Sequence, residues 1–248
     1  MTHTKSNRFG VLWTMIAIVA ALPAHATDAE RTLTLDSHDL HSIKIYNGAG
    51  WLHIQGVDNS DTIEVVGHIV GGGDSRKFTL EKHGDVAVLV ANNTERHFVF
   101  EWIGERPRID VTLRVPSKLK LEVHDGADDM TITGMKADAI VADENGDIEI
   151  ANHHGDLKIY DGAGGIKVTD VTGNIYIQDG ADDLSVERVV GNVDINDGIG
   201  SIVVKDIDGH VSIHDGRGGI ASANITHGLT VNDDSSGHLA MTLSGNKK

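Results

Sequence analysis

Apolar residues two apart, with polar residues between them, recur through the second half of the chain in short units of the form Gly-x-apolar-x-apolar. Gly146-Asp147-Ile148-Glu149-Ile150, Gly155-Asp156-Leu157-Lys158-Ile159, Gly173-Asn174-Ile175-Tyr176-Ile177 and Gly209-His210-Val211-Ser212-Ile213 are clear copies. A period of two is that of a half-buried strand. The opening glycines Gly146, Gly155, Gly164, Gly173, Gly191, Gly200, Gly209 and Gly218 stand at multiples of nine, with Asp182 as the one interruption. Each unit therefore divides into about five residues of strand and about four of turn.

Two kinds of turn alternate, which doubles the period. One carries aspartate, at Asp125, Asp143, Asp161, Asp179, Asp197, Asp215 and Asp233, eighteen residues apart and usually followed by glycine. The other carries an aliphatic residue, at Val171, Val189, Ile207 and Ile225. A full coil then reads strand, aliphatic corner, strand, glycine corner, and stacked coils about 4.8 Å apart build two parallel sheets. The expected fold is all-β: a single parallel β-solenoid, either a β-roll or a β-helix, with 18-residue coils made of two 9-residue half-repeats. A right-handed path is expected for parallel crossovers. Ile166, Val168, Val171, Ile175 and Ile177 form the inward set of one coil. The aspartates read as a structural turn column, each accepting a hydrogen bond from a backbone N–H two residues on, with glycine supplying positive φ angles.

The repeat starts early. Tyr46-Asn47-Gly48-Ala49-Gly50-Trp51-Leu52-His53-Ile54 matches Tyr160-Asp161-Gly162-Ala163-Gly164-Gly165-Ile166-Lys167-Val168 in pattern. Residues 58–120 loosen into longer strands, including Thr62–Val66, Val86–Val90 and Ile109–Val115, with Thr32–Leu35 as a candidate first strand. Gly71-Gly72-Gly73-Asp74 and Asn92-Asn93-Thr94-Glu95 read as loops. The expected division is a signal peptide over 1–26 and a β-solenoid domain over 27–248: irregular, wider coils over 27–120, regular coils over 121–235 and a C-terminal cap over 236–248.

The signal expectation rests on Lys5 and Arg8, the apolar run from Val11 to Leu22, and Ala24-His25-Ala26. Cleavage there leaves a chain without cysteine, which excludes a lipid anchor on cysteine and disulfides. A periplasmic or secreted protein of a Gram-negative bacterium is expected, with no stable membrane insertion after cleavage. Two of the 21 Lys and Arg and none of the 37 Asp and Glu fall within 1–26, so the mature chain carries 19 basic against 37 acidic side chains, a net charge near −18. Such a surface disfavours nucleic acid and anionic lipid and leaves an envelope or extracellular partner, protein or glycan.

The strand Arg108–Val115, Pro116, the strand Leu119-Lys120-Leu121-Glu122-Val123 and the Gly-Asp-Ile-x-Ile repeats together resemble the adhesin-like family of bacterial β-strand-repeat proteins, a domain of unknown function, over roughly residues 40–240. The resemblance implies a solenoid exposed outside the cytoplasm with an adhesin-like role, and it brings no active site.

Candidate chemistry changes this picture little. The calcium β-roll pattern Gly-Gly-x-Gly-x-Asp-x-apolar-x, laid on Gly162-Ala163-Gly164-Gly165, puts Ile166 where the ligand aspartate should stand. Asp125, Asp128 and Asp129, repeated as Asp179, Asp182 and Asp183, are candidates for a peripheral cation, since hard cations take carboxylate oxygens. Fifteen histidines give no pair in one column on adjacent coils, and His153 replaces an aliphatic corner residue, where it should be buried and hydrogen-bonded. No nucleophile or acid–base pair has recognisable context, so no catalytic or cofactor-binding residue is assigned. The expected function is a non-enzymatic adhesin-like or envelope-scaffold solenoid, against two alternatives: a β-helix carbohydrate-active enzyme and a calcium-binding solenoid. An aromatic-lined groove with two carboxylates about 5–10 Å apart would favour hydrolysis, and flat polar faces would favour the scaffold.

Overall fold

The computed structural model describes residues 28–71, 76–93, 107–233 and 239–242, which form two sheets and no α-helix. The segment 1–26 lies outside the described residues. In chain order the first strands are β1 (Ala29–Asp36), β2 (Ser42–Asn47), β3 (Leu52–Val57), β4 (Thr62–Val70), β5 (Arg76–His83), β6 (Val86–Asn93) and β7 (Arg108–Pro116). The regular series follows as β8 (Lys120–Asp125), β9 (Met130–Thr133), β10 (Ala139–Asp143), β11 (Ile148–His154), β12 (Leu157–Asp161), β13 (Ile166–Thr172) and β14 (Ile175–Asp179). It continues as β15 (Leu184–Val190), β16 (Val193–Ile199), β17 (Ile202–Asp208), β18 (Val211–Arg217), β19 (Ile220–Ile225), β20 (Leu229–Asp233) and β21 (Leu239–Thr242).

From β8 onward, odd-numbered strands enter an eleven-stranded sheet and even-numbered strands a ten-stranded sheet, here the first and second sheets. Every pairing in this series is parallel, and the register is eighteen residues from β8 to β20, as in Ala139 with Leu157, Leu157 with Ile175 and Ile175 with Val193, and nineteen at the last pair, Ile220 of β19 with Leu239 of β21. The chain is therefore a parallel β-solenoid with the coil length read from the spacing. Ile166, Val168, Val171, Ile175 and Ile177 are all buried. Each stands on its equivalent in the neighbouring coils, and each contributes roughly 1.5–3 kcal/mol by leaving water.

Stacking explains the glycines better than φ alone does. Gly164 does sit at φ +140°, but a Cβ there would also strike the carbonyl of Gly146, one coil back. The Asp-Gly glycines lie outside the left-handed region. Gly180 is required because a Cβ would meet the Gly162 carbonyl, so close coil approach, not a positive φ, selects glycine after the aspartate. The positive φ of the aliphatic corner falls on a different column: Asn152, Asp170, Arg188, Asp206 and Asn224, all at φ between 54° and 59°.

The N-terminal part departs from simple stacking. The coil made by β2 and β3 lies directly against β8 and β9, with Ile43 opposite Leu121 and Leu52 opposite Met130. On its other side lie β6 and β7, which come later in the chain. Beyond them the pairing turns antiparallel: β4 against β7, β1 against β4, and β5 against β6. Buried Ile63, Val65 and Phe78 from these outer strands cover the end of the core. Asn92 and Asn93, expected in a loop, extend β6, because Asn92 and Asn93 pair with Lys77 and Arg76 of β5.

Candidate functional site

In β12 the burial pattern alternates through the whole strand, so Leu157, Ile159 and then Asp161 all point inward. The same alternation turns the corner-column aspartates from Asp125 to Asp215 into the coil. Exposure is 5% at Asp125, 6% at Asp143, 8% at Asp161, 5% at Asp179, 2% at Asp197 and 0% at Asp215. Asp233 continues the column in register with Asp215. Asn47 closes it at the other end, donating its side-chain amide to Asp125 Oδ1 at 3.0 Å and to the Gly50 carbonyl at 2.8 Å.

Hydrogen-bond donors run short along this column. The Gly126 N–H donates to Asp125 at 2.8 Å, the Asn145 N–H to Asp143 at 3.4 Å and the Ala181 N–H to Asp179 at 3.3 Å. Asp125 Oδ2, Asp143 Oδ2, Asp179 Oδ2 and both carboxylate oxygens of Asp161 and Asp197 accept no hydrogen bond among the described residues. Adjacent ionised carboxylates about 4.8 Å apart would repel by about 1 kcal/mol in water and by about 3–4 kcal/mol at an effective dielectric near 20. Burial, the largest cause, pushes Asp125 and Asp179 up to about 7, pushes Asp161 and Asp197 up to about 6, and raises Asp143. Like charge adds to it: Asp143 acts on Asp161, Asp197 and Asp161 on Asp179, and Asp215 on Asp197. The nearby amides of Gly162 and Ala163 pull Asp161 partway back without making hydrogen bonds of ordinary geometry.

The two acidic triplets are split between separate tasks. Asp125 and Asp179 belong to the buried column. Asp128 and Asp182 take positive φ, 79° and 94°, in the column that glycine fills elsewhere. Asp129 and Asp183 face outward, where each accepts an N–H from the next coil: that of Asp147 at 3.2 Å and that of Ser201 at 3.0 Å. Among the described residues no three His, Asp or Glu side chains converge as a metal site.

Asp129 and Asp183 belong to a wider device that spacing alone did not single out. Residues just before each strand lend a side-chain oxygen to the N–H of their equivalent one coil on. In the first sheet Gly165 N–H donates to Asp147 at 2.8 Å; in the second, Asn174 N–H donates to Asp156 at 2.9 Å, Asn192 N–H to Asn174 at 3.1 Å and His210 N–H to Asn192 at 3.0 Å. The signal was present as Asp or Asn directly after the repeat glycine.

His153 corrects an expectation. It is fully buried in the aliphatic corner column, opposite Val171, but neither ring nitrogen has a hydrogen-bond partner among the described residues. Burial, the largest cause, lowers its pKa. Backbone groups of Asp156 and Gly155 offset burial partway without making a hydrogen bond of ordinary geometry, so the ring fits among aliphatic equivalents without a full partner.

Outside, the second sheet presents rows of side chains one coil apart. Tyr46 stacks on His124 with ring centroids 5.1 Å apart, and Tyr160 lies 5.9 Å from Tyr176. Tyr46, Ile140 and Tyr160 remain 40%, 41% and 40% exposed. A shallow depression of about 420 Å³ on the same face is lined by Lys158, Asn174, Tyr176, Asn192, Asp194 and His210. Polar rows dominate the first sheet, where Lys167 pairs with Glu149 at 2.7 Å and Lys205 with Glu187 at 2.6 Å.

No family model matches this chain, and no curated protein matches it. Solved structures similar to this chain include three from bacteria. An adhesin-like protein of Parabacteroides merdae aligns over 88% of this chain and 97% of its own, with 13% identity and a TM-score of 0.36. A cell-adhesion-like protein of Clostridium sporogenes aligns over 88% and 100%, with 8% identity and a TM-score of 0.34. An adhesin-like protein of Bacteroides fragilis aligns over 86% and 97%, with 12% identity and a TM-score of 0.55, and with it this chain shares its fold.

Proposed function

We propose that the protein is a non-enzymatic, extracytoplasmic β-solenoid with an adhesin-like or envelope-scaffold role, secreted or periplasmic after loss of residues 1–26. It engages an envelope or extracellular partner through the outward face of the second sheet. The observation that carries this reading is that face itself, where Tyr46, Ile140 and Tyr160 stay exposed on in-register strands. Aromatic side chains offer large contact area at low entropy cost, which is why they anchor interfaces. The adhesin-like description of the Bacteroides fragilis structure agrees with this role.

The test is capture of envelope and culture-medium fractions on the immobilised mature protein, wild type against Tyr46→Ser/Ile140→Ser/Tyr160→Ser. A second variant, Lys167→Glu/Lys205→Glu, changes the first sheet instead. Recovery of the partner should fall at least about tenfold for the second-sheet variant and stay unchanged for the first-sheet one. Equal recovery from all three proteins would contradict the reading.

A further inference from the structure

We propose that the aspartate column from Asp125 to Asp215 is a proton-linked clamp, in which carboxyls on successive coils share protons taken from solvent and hold the corner together while they are shared. The clamp is independent of the binding face, since it lies inside the coil.

Four observations lead to it. The aspartates stack in register, Asp125 on Asp143, Asp143 on Asp161, Asp179 on Asp197 and Asp197 on Asp215. Buried carboxylate oxygens outnumber the donors that reach them: Asp161 and Asp197 offer four oxygens and receive no hydrogen bond among the described residues. Outside the column, the charged groups among the largest influences on Asp143, Asp161 and Asp197 are Glu144, Asp129, Asp147 and Asp183 of the adjoining turns, every one acidic. At the β2 end of the column Asn47, a neutral residue with an N–H to give, stands against Asp125.

A protonated carboxyl answers both deficits together. Its O–H is the donor that a neighbouring carboxylate lacks, and its neutrality removes one of two like charges. Each proton enters from solvent, sits between two coils and returns to solvent when the pair ionises. The raised pKa values of Asp125, Asp161, Asp179 and Asp197, about 6 to about 7, put this exchange within the range that an extracytoplasmic protein meets. Mild acid therefore tightens the corner at which the strands of the second sheet end, and alkali loosens it.

The test is a titration of the mature protein with ¹³C-labelled aspartate carboxyls, followed by NMR from pH 4 to pH 9. Asp125, Asp161, Asp179 and Asp197 should titrate with midpoints near 6 to 7 and with curves broader than a single independent site, as coupled groups do. In Asp161→Asn/Asp197→Asn, Asp179 loses a carboxylate on either side and gains amide donors, so its midpoint should fall by about one pH unit or more. Midpoints below about 5 throughout the wild-type column, a range nearer that of an unperturbed aspartate, would overturn the proposal. So would an Asp179 midpoint unmoved in the variant. Should that variant fail to fold, the wild-type titration decides alone.

Discussion

Single side chains in this solenoid are judged against their copies one coil away. His153 is the clearest misfit: Val171 occupies the same corner with nothing to satisfy, whereas the imidazole buries two nitrogens without partners. An unsatisfied buried polar group costs about 1–3 kcal/mol, so His153→Val should raise Tm by roughly 2–10 °C in a domain of this size. The gain should grow on acidification, because the unfolded histidine takes up a proton that the buried ring, with its lowered pKa, refuses. Melting curves at two pH values check both claims. Gly164 gives the opposite case. Gly164→Ala drives a methyl into the Gly146 carbonyl at a backbone φ of +140° and should cost more than about 3 kcal/mol, measured by urea unfolding.

At the scale of the element, the coil is held by devices that repeat every eighteen residues, and these differ in how far the sequence reveals them. Period-two patterning exposes the inward aliphatics and, carried one step further, the inward aspartates. The column of Asn152, Asp170, Arg188, Asp206 and Asn224 is harder to see, because left-handed backbone is visible only where glycine marks it. Asn152→Val places a β-branched side chain at φ 54° and should cost about 1–2 kcal/mol or more, while Asn152→Gly should be neutral or stabilising. The N–H of His210 finds its acceptor on Asn192 of the preceding coil. Asn192→Ala should cost about 1 kcal/mol, with faster hydrogen exchange at the His210 amide as the local signature. The order of β6, β7, β2, β3, β8 and β9 was not legible at all. Asn47 announces itself as a repeat member, but nothing periodic in residues 58–119 says that the chain runs outward, folds back antiparallel and returns to leave that coil in the middle.

For the molecule as a whole, the coil repeat fixes architecture more firmly than it fixes function. Stacking converts one acceptable corner into a column in which every acid has an acid beside it, a property of the assembly that no single repeat contains. Exposed acids such as Asp170, held low by Arg188, and Asp138, held low by Lys120, contribute stability above the ordinary carboxylate range and lose it in stronger acid. The buried column works in the other direction. Its folded pKa values lie above the unfolded value of about 3.9, so its contribution is fully present below that value and is lost as pH rises through about 6 to about 7. The most direct measurement is Tm of the wild-type protein, residues 27–248, between pH 4.5 and pH 8.5. The account predicts that Tm is highest at the acid end of this range and falls as pH rises through about 6 to about 7, by roughly 5 °C or more at pH 8. A Tm that is flat or rises from pH 5.5 to pH 8 would contradict a buried, proton-sharing aspartate column.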